Sequence, residues 1–292
     1  MKRVIFAISV ILASLAVAQE NLRPALETTY TAWREAMIRR DHSAWKRVTA
    51  EHRRVDVRNR IVSEKGPFPA AIFSLPAPPP SLQGLKFLEA LQNGPTAKAS
   101  YFGKIDFGVG GQPSDNLLVL SFVKGSGGWL YDRADFVNLS ALPAVRKELA
   151  AGNIKYLEET PEAKPDGQIP ATPVAANPAK YVAKVYVFCP GREVQVQVNK
   201  ISRHRFANAQ EAEVVIGGAV DGVNEVQYTT KKLKGGTGKE VMTIRVYLMS
   251  EIQGEKPLKV FEYQIAAGEV PKTVSTGAFE VTPAIAAKLA GR

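Results

Sequence analysis

Leu22, Leu26, Tyr30, Trp33 and Met37 recur every three or four positions, the period of an amphipathic helix over residues 21–40. Asp41-His42-Ser43 breaks that pattern. Either Asp41 or Ser43 can cap a second helix, with Trp45, Val48, His52 and Val55 facing inward. Between Gly66 and Pro80 six prolines forbid a regular helix. Yet Phe68, Ile72, Phe73 and Leu75 are too apolar for a free linker, which predicts an ordered loop folded onto its domain. Leu82, Leu85, Leu88 and Leu91 then restore a helical spacing over residues 81–92. Three strand-like runs follow, Ala99 to Phe107, Leu117 to Lys124 and Trp129 to Leu139. Gly125-Ser126-Gly127-Gly128 joins the last two as a hairpin. A short helix over Ala144–Ala151 closes this half.

Thr160 to Pro178 holds five prolines among Ala, Lys, Asp and Gln, the composition of an extended, semi-rigid linker with few contacts. Beyond it the chain reads almost wholly as strand. The runs are Tyr181–Phe188, Glu193–Val198, Glu213–Ile216, Val223–Leu233, Val241–Met249, Leu258–Ile265 and Thr273–Val281. Val194, Val196 and Val198 alternate with Glu193, Gln195 and Gln197, so one face of that strand is apolar and the other polar. Seven short strands in this span predict an antiparallel β-sandwich.

The chain start changes the picture. Met1-Lys2-Arg3 is basic, Val4 to Val17 is apolar except for two serines, and Ala16-Val17-Ala18 is a small-x-small cleavage signature. These mark residues 1–18 as a secretory signal peptide cut before Gln19. The apolar run falls short of the roughly 20 residues a membrane helix needs, so no membrane span is expected. The resulting organisation is a signal peptide (1–18), an α+β domain (19–159), a Pro-rich linker (160–178) and a β-sandwich (179–292).

Basic residues number 38 against 28 acidic, a formal net charge of +10. The excess is spread over both halves and forms no tail. It suits loose attraction to acidic envelope surfaces, and no nucleic-acid partner is expected. Cys189 is the only cysteine, so stability must come from apolar cores rather than internal disulfides. It ends an apolar strand with no histidine beside it, which reads as a packing residue, not a nucleophile. The three histidines, His42, His52 and His204, show no metal spacing, and His204 lies in a basic stretch read as a loop. There is no G-x-S-x-G, phosphate loop or dinucleotide fingerprint. No cofactor or metal is expected.

The first half resembles the NTF2-like (SnoaL-like) cone fold. The residues carrying the likeness are Leu26, Tyr30, Trp33, Ala36, Arg40 and Asp41 of the opening helix, Trp45 after it, and the hairpin Leu117–Phe122 with Gly128–Phe136. Gly222-Val223-Asn224-Glu225-Val226 resembles a strand entry of immunoglobulin-like and galactose-binding-like sandwiches. These likenesses imply helices packed on a curved antiparallel sheet, followed by an all-β sandwich. Cone proteins of this kind set a carboxylate or histidine and a tyrosine on the inner face of the sheet. The matching residue types here are Tyr101, Asp106, Tyr131 and Asp135, with Phe68, Ile72 and Phe73 as a plug or lid. The resemblance also implies a homodimer. With no strong catalytic motif, the reading is an exported, non-enzymatic binding or structural protein whose sandwich contacts a protein or glycan of the cell envelope. The alternative is an enzyme or small-ligand carrier using a pocket in the first domain.

Overall fold

A computed structural model describes residues 22–110 and 112–291; the signal-peptide assignment, residues 1–18, lies outside them. The chain divides into two compact units. The first holds the residues through Arg54 together with Ile72–Pro173, and the second Val55–Ala71 with Val174–Arg292. The expected linker straddles the division at Pro173. Among the described residues no helix is long and apolar enough to cross a membrane.

In the first unit, α1 (residues 22–39) buries Leu22, Leu26 and Tyr30, as its period requires. Asp41 caps α2 (His42–Val48), its side chain accepting from the Ala44 N–H at 2.9 Å. The chain then breaks helix for two residues. Thr49 bridges Tyr131, and the Ala50 N–H donates to the Tyr131 carbonyl before α3 (Glu51–Ser63) begins. The sheet is a meander in sequence order, β1 (Lys86–Asn93), β2 (Thr96–Ile105), β3 (Ser114–Gly125) and β4 (Gly128–Asn138), all antiparallel.

The expected fold class, an α+β cone followed by a sandwich, is corrected here. The described chain is mostly β, three four-stranded antiparallel sheets with few short helices, and no cone of helices around a curved sheet forms. Residues 81–92 show why the reading went astray. They form a loop and β1, not a helix. Gly84 takes a φ of +82°, which ends any helix, and Gly94-Pro95 turns β1 directly into β2. A bulge leaves Leu88 without a partner between Phe87 and Glu89. The extra residue shifts the two-residue alternation, so apolar side chains recur three apart and imitate a helical stripe. On one face of this sheet Ala97, Ala99, Tyr101, Leu118, Leu120, Phe122 and Tyr131 meet α1. On the other, Leu117 and Val119 meet Leu149 of α4 (Pro143–Ala151) and Leu157 of α5 (Lys155–Glu159). The Trp33 and Tyr131 ring centroids lie 4.1 Å apart with the planes tilted by 31°, Trp45 is buried, and Trp129 packs at the rim of the cluster that holds Tyr131.

The second unit is a β-sandwich of two four-stranded sheets. One runs β12-β9-β6-β7 and the other β11-β10-β5-β8. The strands are β5 (Ala183–Phe188), β6 (Arg192–Val198), β7 (Ser202–Ala207), β8 (Gln210–Val214), β9 (Gly222–Lys232), β10 (Met242–Leu248), β11 (Leu258–Ile265) and β12 (Val274–Val281). Strict alternation sends Val185, Val187, Val194, Val196, Phe206, Val226, Ile244 and Val246 into one shared core. Gly277 of β12 lies where a Cβ would sit 2.4 Å from the Phe261 ring of β11; glycine is what lets the sheets close there. The extra strand, β7, covers the stretch read as a basic loop. Ser202, His204 and Phe206 point inward while Arg203 and Arg205 point out. Thr282 caps a final helix, α6 (Pro283–Leu289).

The proline-rich segment between the halves makes more contacts than its composition predicts. Its first part is tied to the first unit, where Lys98 donates to the Glu162 carbonyl and the Gly167 N–H donates to Thr96 Oγ1 at 2.9 Å. Its last part is tied to the second unit. Asn59 donates to the Val174 carbonyl and accepts from the Ala176 N–H, both at 2.8 Å. Residues 168–173 between them are exposed.

Candidate functional site

The residues proposed from sequence do not converge. Tyr101 and Tyr131 are buried on the α1 side of the first sheet. Burial raises both phenols well above their ordinary value, with the Glu27 charge adding to the effect at Tyr101. Tyr101 Oη donates to Glu27 Oε1 at 3.0 Å, while Tyr131 is packed among Tyr30, Trp33 and Phe122. Asp106 is exposed and accepts from the Gly108 N–H at 2.8 Å, closing a surface turn.

Asp135 lies on the opposite face from Tyr131. Ser121 pairs with Arg133 and Phe122 with Tyr131, so Asp132 is an extra, bulged residue. Beyond it the alternation is inverted. Asp135 therefore pairs with Val119 on the far face and sits 3.3 Å from Arg133 Nε. With no cone there is no mouth to plug: Ile72 is buried, and Phe68 and Phe73 are half-buried. The proline loop is held instead through its carbonyls, Pro80 accepting from Tyr30 Oη and Pro79 from Arg34 Nε, each at 2.7 Å.

Three arrangements of buried polar groups were not found from sequence. The first is His52 of α3, whose Nε2 meets Asp132 Oδ1 at 2.8 Å with both residues buried. The bulge places Asp132 where the helix start can reach it.

The second is a groove of about 350 Å³ on the far face of the first sheet, walled by the proline segment. Lys98, Ser121 and Arg133 stand in one cross-strand row on its floor. Burial, then the Arg133 charge, lowers the Lys98 ammonium below its usual value. Ser121 Oγ is buried with no hydrogen-bond partner.

The third is in the sandwich. Ser202 Oγ lies 2.6 Å from His204 Nε2, and His204 Nδ1 lies 2.6 Å from Glu213 Oε2. The order matches a serine–histidine–carboxylate relay, but Ser202 is 0% exposed and its oxygen already accepts from the Ile216 N–H at 2.7 Å. No substrate carbonyl can approach, so the relay is a clasp between β7 and β8, the edge strands of the two sheets. The alternation Ser202-Arg203-His204-Arg205-Phe206 was the signal for it, masked by the charges at the outward positions.

The sandwich also carries an aromatic outer face. Tyr186 and Phe188 of β5 stand beside Arg245 and Thr243 of β10, and Tyr247 follows one row on. All three rings are partly exposed. Arg245 Nε donates to Glu262 Oε1 at 2.6 Å and Lys259 Nζ to Glu262 Oε2 at 2.6 Å, forming a charged margin. Glu262 is held below the usual carboxylate range by its bonds to Lys259 and Arg245. Cys189 is buried, and burial raises its thiol. Among the described residues no group of three or more His, Cys, Asp or Glu side chains could hold a metal ion.

No protein-family model, no curated protein and no solved structure matches the chain.

Proposed function

We propose that this is an exported, non-enzymatic binding protein whose β-sandwich docks a protein of the cell envelope through the Tyr186–Phe188–Arg245–Tyr247 face. The observation that carries the reading is the composition of that face. Half-exposed tyrosine and phenylalanine beside an arginine, flanked by the Arg245–Glu262–Lys259 charges, is the make-up of interface centres. Every outward residue of a solvated strand would instead be polar, as on β6, where Glu193, Gln195 and Gln197 point out. Export rests on the basic, apolar and small-residue succession of residues 1–18.

A photo-crosslinking residue at position 188, activated in intact cells, tests the reading. One discrete protein adduct is expected, lost when Tyr186→Ala or Arg245→Ala is added. Retention on purified envelope glycan that Tyr186→Ala abolishes would assign the face to a glycan instead. Labelling that neither substitution changes would end the proposal. A second reading, a small-ligand carrier, is favoured by the groove of the first unit.

A further inference from the structure

We infer that the groove under the proline segment of the first unit is a binding site for a neutral, hydroxyl-rich ligand, a mono- or disaccharide. The site is independent of the sandwich face. Its volume of about 350 Å³ falls in the range of small-molecule sites. Its lining carries both signs of charge and no tyrosine or tryptophan.

The charges are already matched within the protein. Asp132 is paired with His52, and Lys164 donates to the Glu158 carbonyl. Arg133 sits 3.3 Å from Asp135, and Lys98 donates to the Glu162 carbonyl with Asp135 and Asp166 nearby. A free anion or cation finds no surplus counter-charge here. An apolar ligand would strand these polar groups, at a desolvation cost. A ring of hydroxyls both donates and accepts, and so complements a floor of ammonium, guanidinium, carboxylate and hydroxyl together.

Ser121 marks the floor. It is 6% exposed and its Oγ has no partner, although buried hydroxyls are almost always bonded. Two residues along β4 from its cross-strand neighbour, Asp135 Oδ2 is by contrast already taken by Arg133 Nε at 3.3 Å. An unpartnered hydroxyl on the floor of the groove is what a hydroxylated ligand would satisfy. The wall is pinned at Glu162 and Gly167 but exposed over residues 168–173. A ligand can therefore enter beside the strap without unfolding the sheet.

Isothermal titration of the full mature chain with glucose, galactose, N-acetylglucosamine, maltose and trehalose tests the site, with inorganic phosphate and alanine as ionic controls. At least one sugar is expected to bind with millimolar or tighter affinity. Binding should weaken tenfold or more in both Ser121→Val and Lys98→Met, and stay unchanged in Tyr186→Ala. Thermal melts of the variants establish that each is folded, and the second covers a failure of the first. Absence of binding by every sugar, binding that survives both substitutions, or binding of phosphate or alanine alone overturns the proposal. None of these outcomes bears on the crosslinking test of the sandwich face.

Discussion

Glu213→Leu isolates the clasp between the edges of the sandwich. With the imidazole neutral, Ile216 N–H donates to Ser202 Oγ, Ser202 O–H donates to His204 Nε2, and His204 Nδ1–H donates to Glu213. Leucine removes only the last acceptor. His204 is 7% exposed, so its Nδ1–H is left buried and unbonded, which costs about 1–3 kcal/mol. With a urea dependence of about 2 kcal/mol per molar, the midpoint followed by far-UV circular dichroism should fall by about 0.5–1.5 M. Adding His204→Leu removes the stranded donor, while Ser202 Oγ still accepts from the Ile216 N–H, and should recover part of that loss. The pH dependence has a definite sign. The hydrogen bond from His204 lowers Glu213 below its ordinary value of 4.5. A depressed carboxylate contributes stability above its unfolded pKa and loses it as pH falls toward the folded one. The gap between the native chain and Glu213→Leu should therefore narrow below pH 4.5. An unchanged urea midpoint for Glu213→Leu at pH 7, or labelling of Ser202 by a fluorophosphonate, would refute the clasp.

Mature protein from the native host should begin at Gln19, and N-terminal sequencing that finds Met1 would refute export. Elastase should nick the exposed residues 168–175 before trypsin cuts after Lys164, whose backbone N–H is bonded to the Pro161 carbonyl; mass spectrometry of early fragments that shows the reverse order would mean the strap is not held. Gly277→Ala should cost about 1–3 kcal/mol, since the new Cβ would displace the Phe261 ring, read as a lower melting temperature. Glu240, with a pKa of about 2 because the Thr237 and Gly238 backbone N–H groups bond it, faces the buried Arg192; its contribution should vanish between pH 4.5 and 2, seen as a native-minus-Glu240→Gln difference in acid titrations.

The sandwich was legible because most of its strands keep a two-residue period, as in Val194, Val196 and Val198; β11 departs from it at Val260, which a bulge leaves unpaired. The opening helix was legible through Leu22, Leu26 and Tyr30, each of which is buried. Two of the failures share one physical origin. A bulge adds a residue to one strand only, and nothing in the local sequence announces it. At Leu88 the bulge turned a strand into an apparent helix, and at Asp132 it moved Asp135 to the other face from Tyr131. That inversion took Asp135 off the face that carries Tyr131, while Asp106 falls in a surface turn beyond the end of β2. Ser202, His204 and Glu213 were missed for a different reason: the relay forms across two sheets, and only the pairing of β5 with β8 and of β6 with β7 brings it together. The proline segment misled by composition, since its side chains suggest a free tether while its carbonyls and amides are used as hydrogen-bond partners.

All three tryptophans, Trp33, Trp45 and Trp129, fall in the first unit. Indole emission therefore watches one half of this molecule, whereas the β signal in circular dichroism sums both. Melted together, the two probes separate by eye what the chain does by halves. Coincident curves would mean that the units unfold as one cooperative body, and an emission change at a different temperature would give each unit its own stability without cutting the chain.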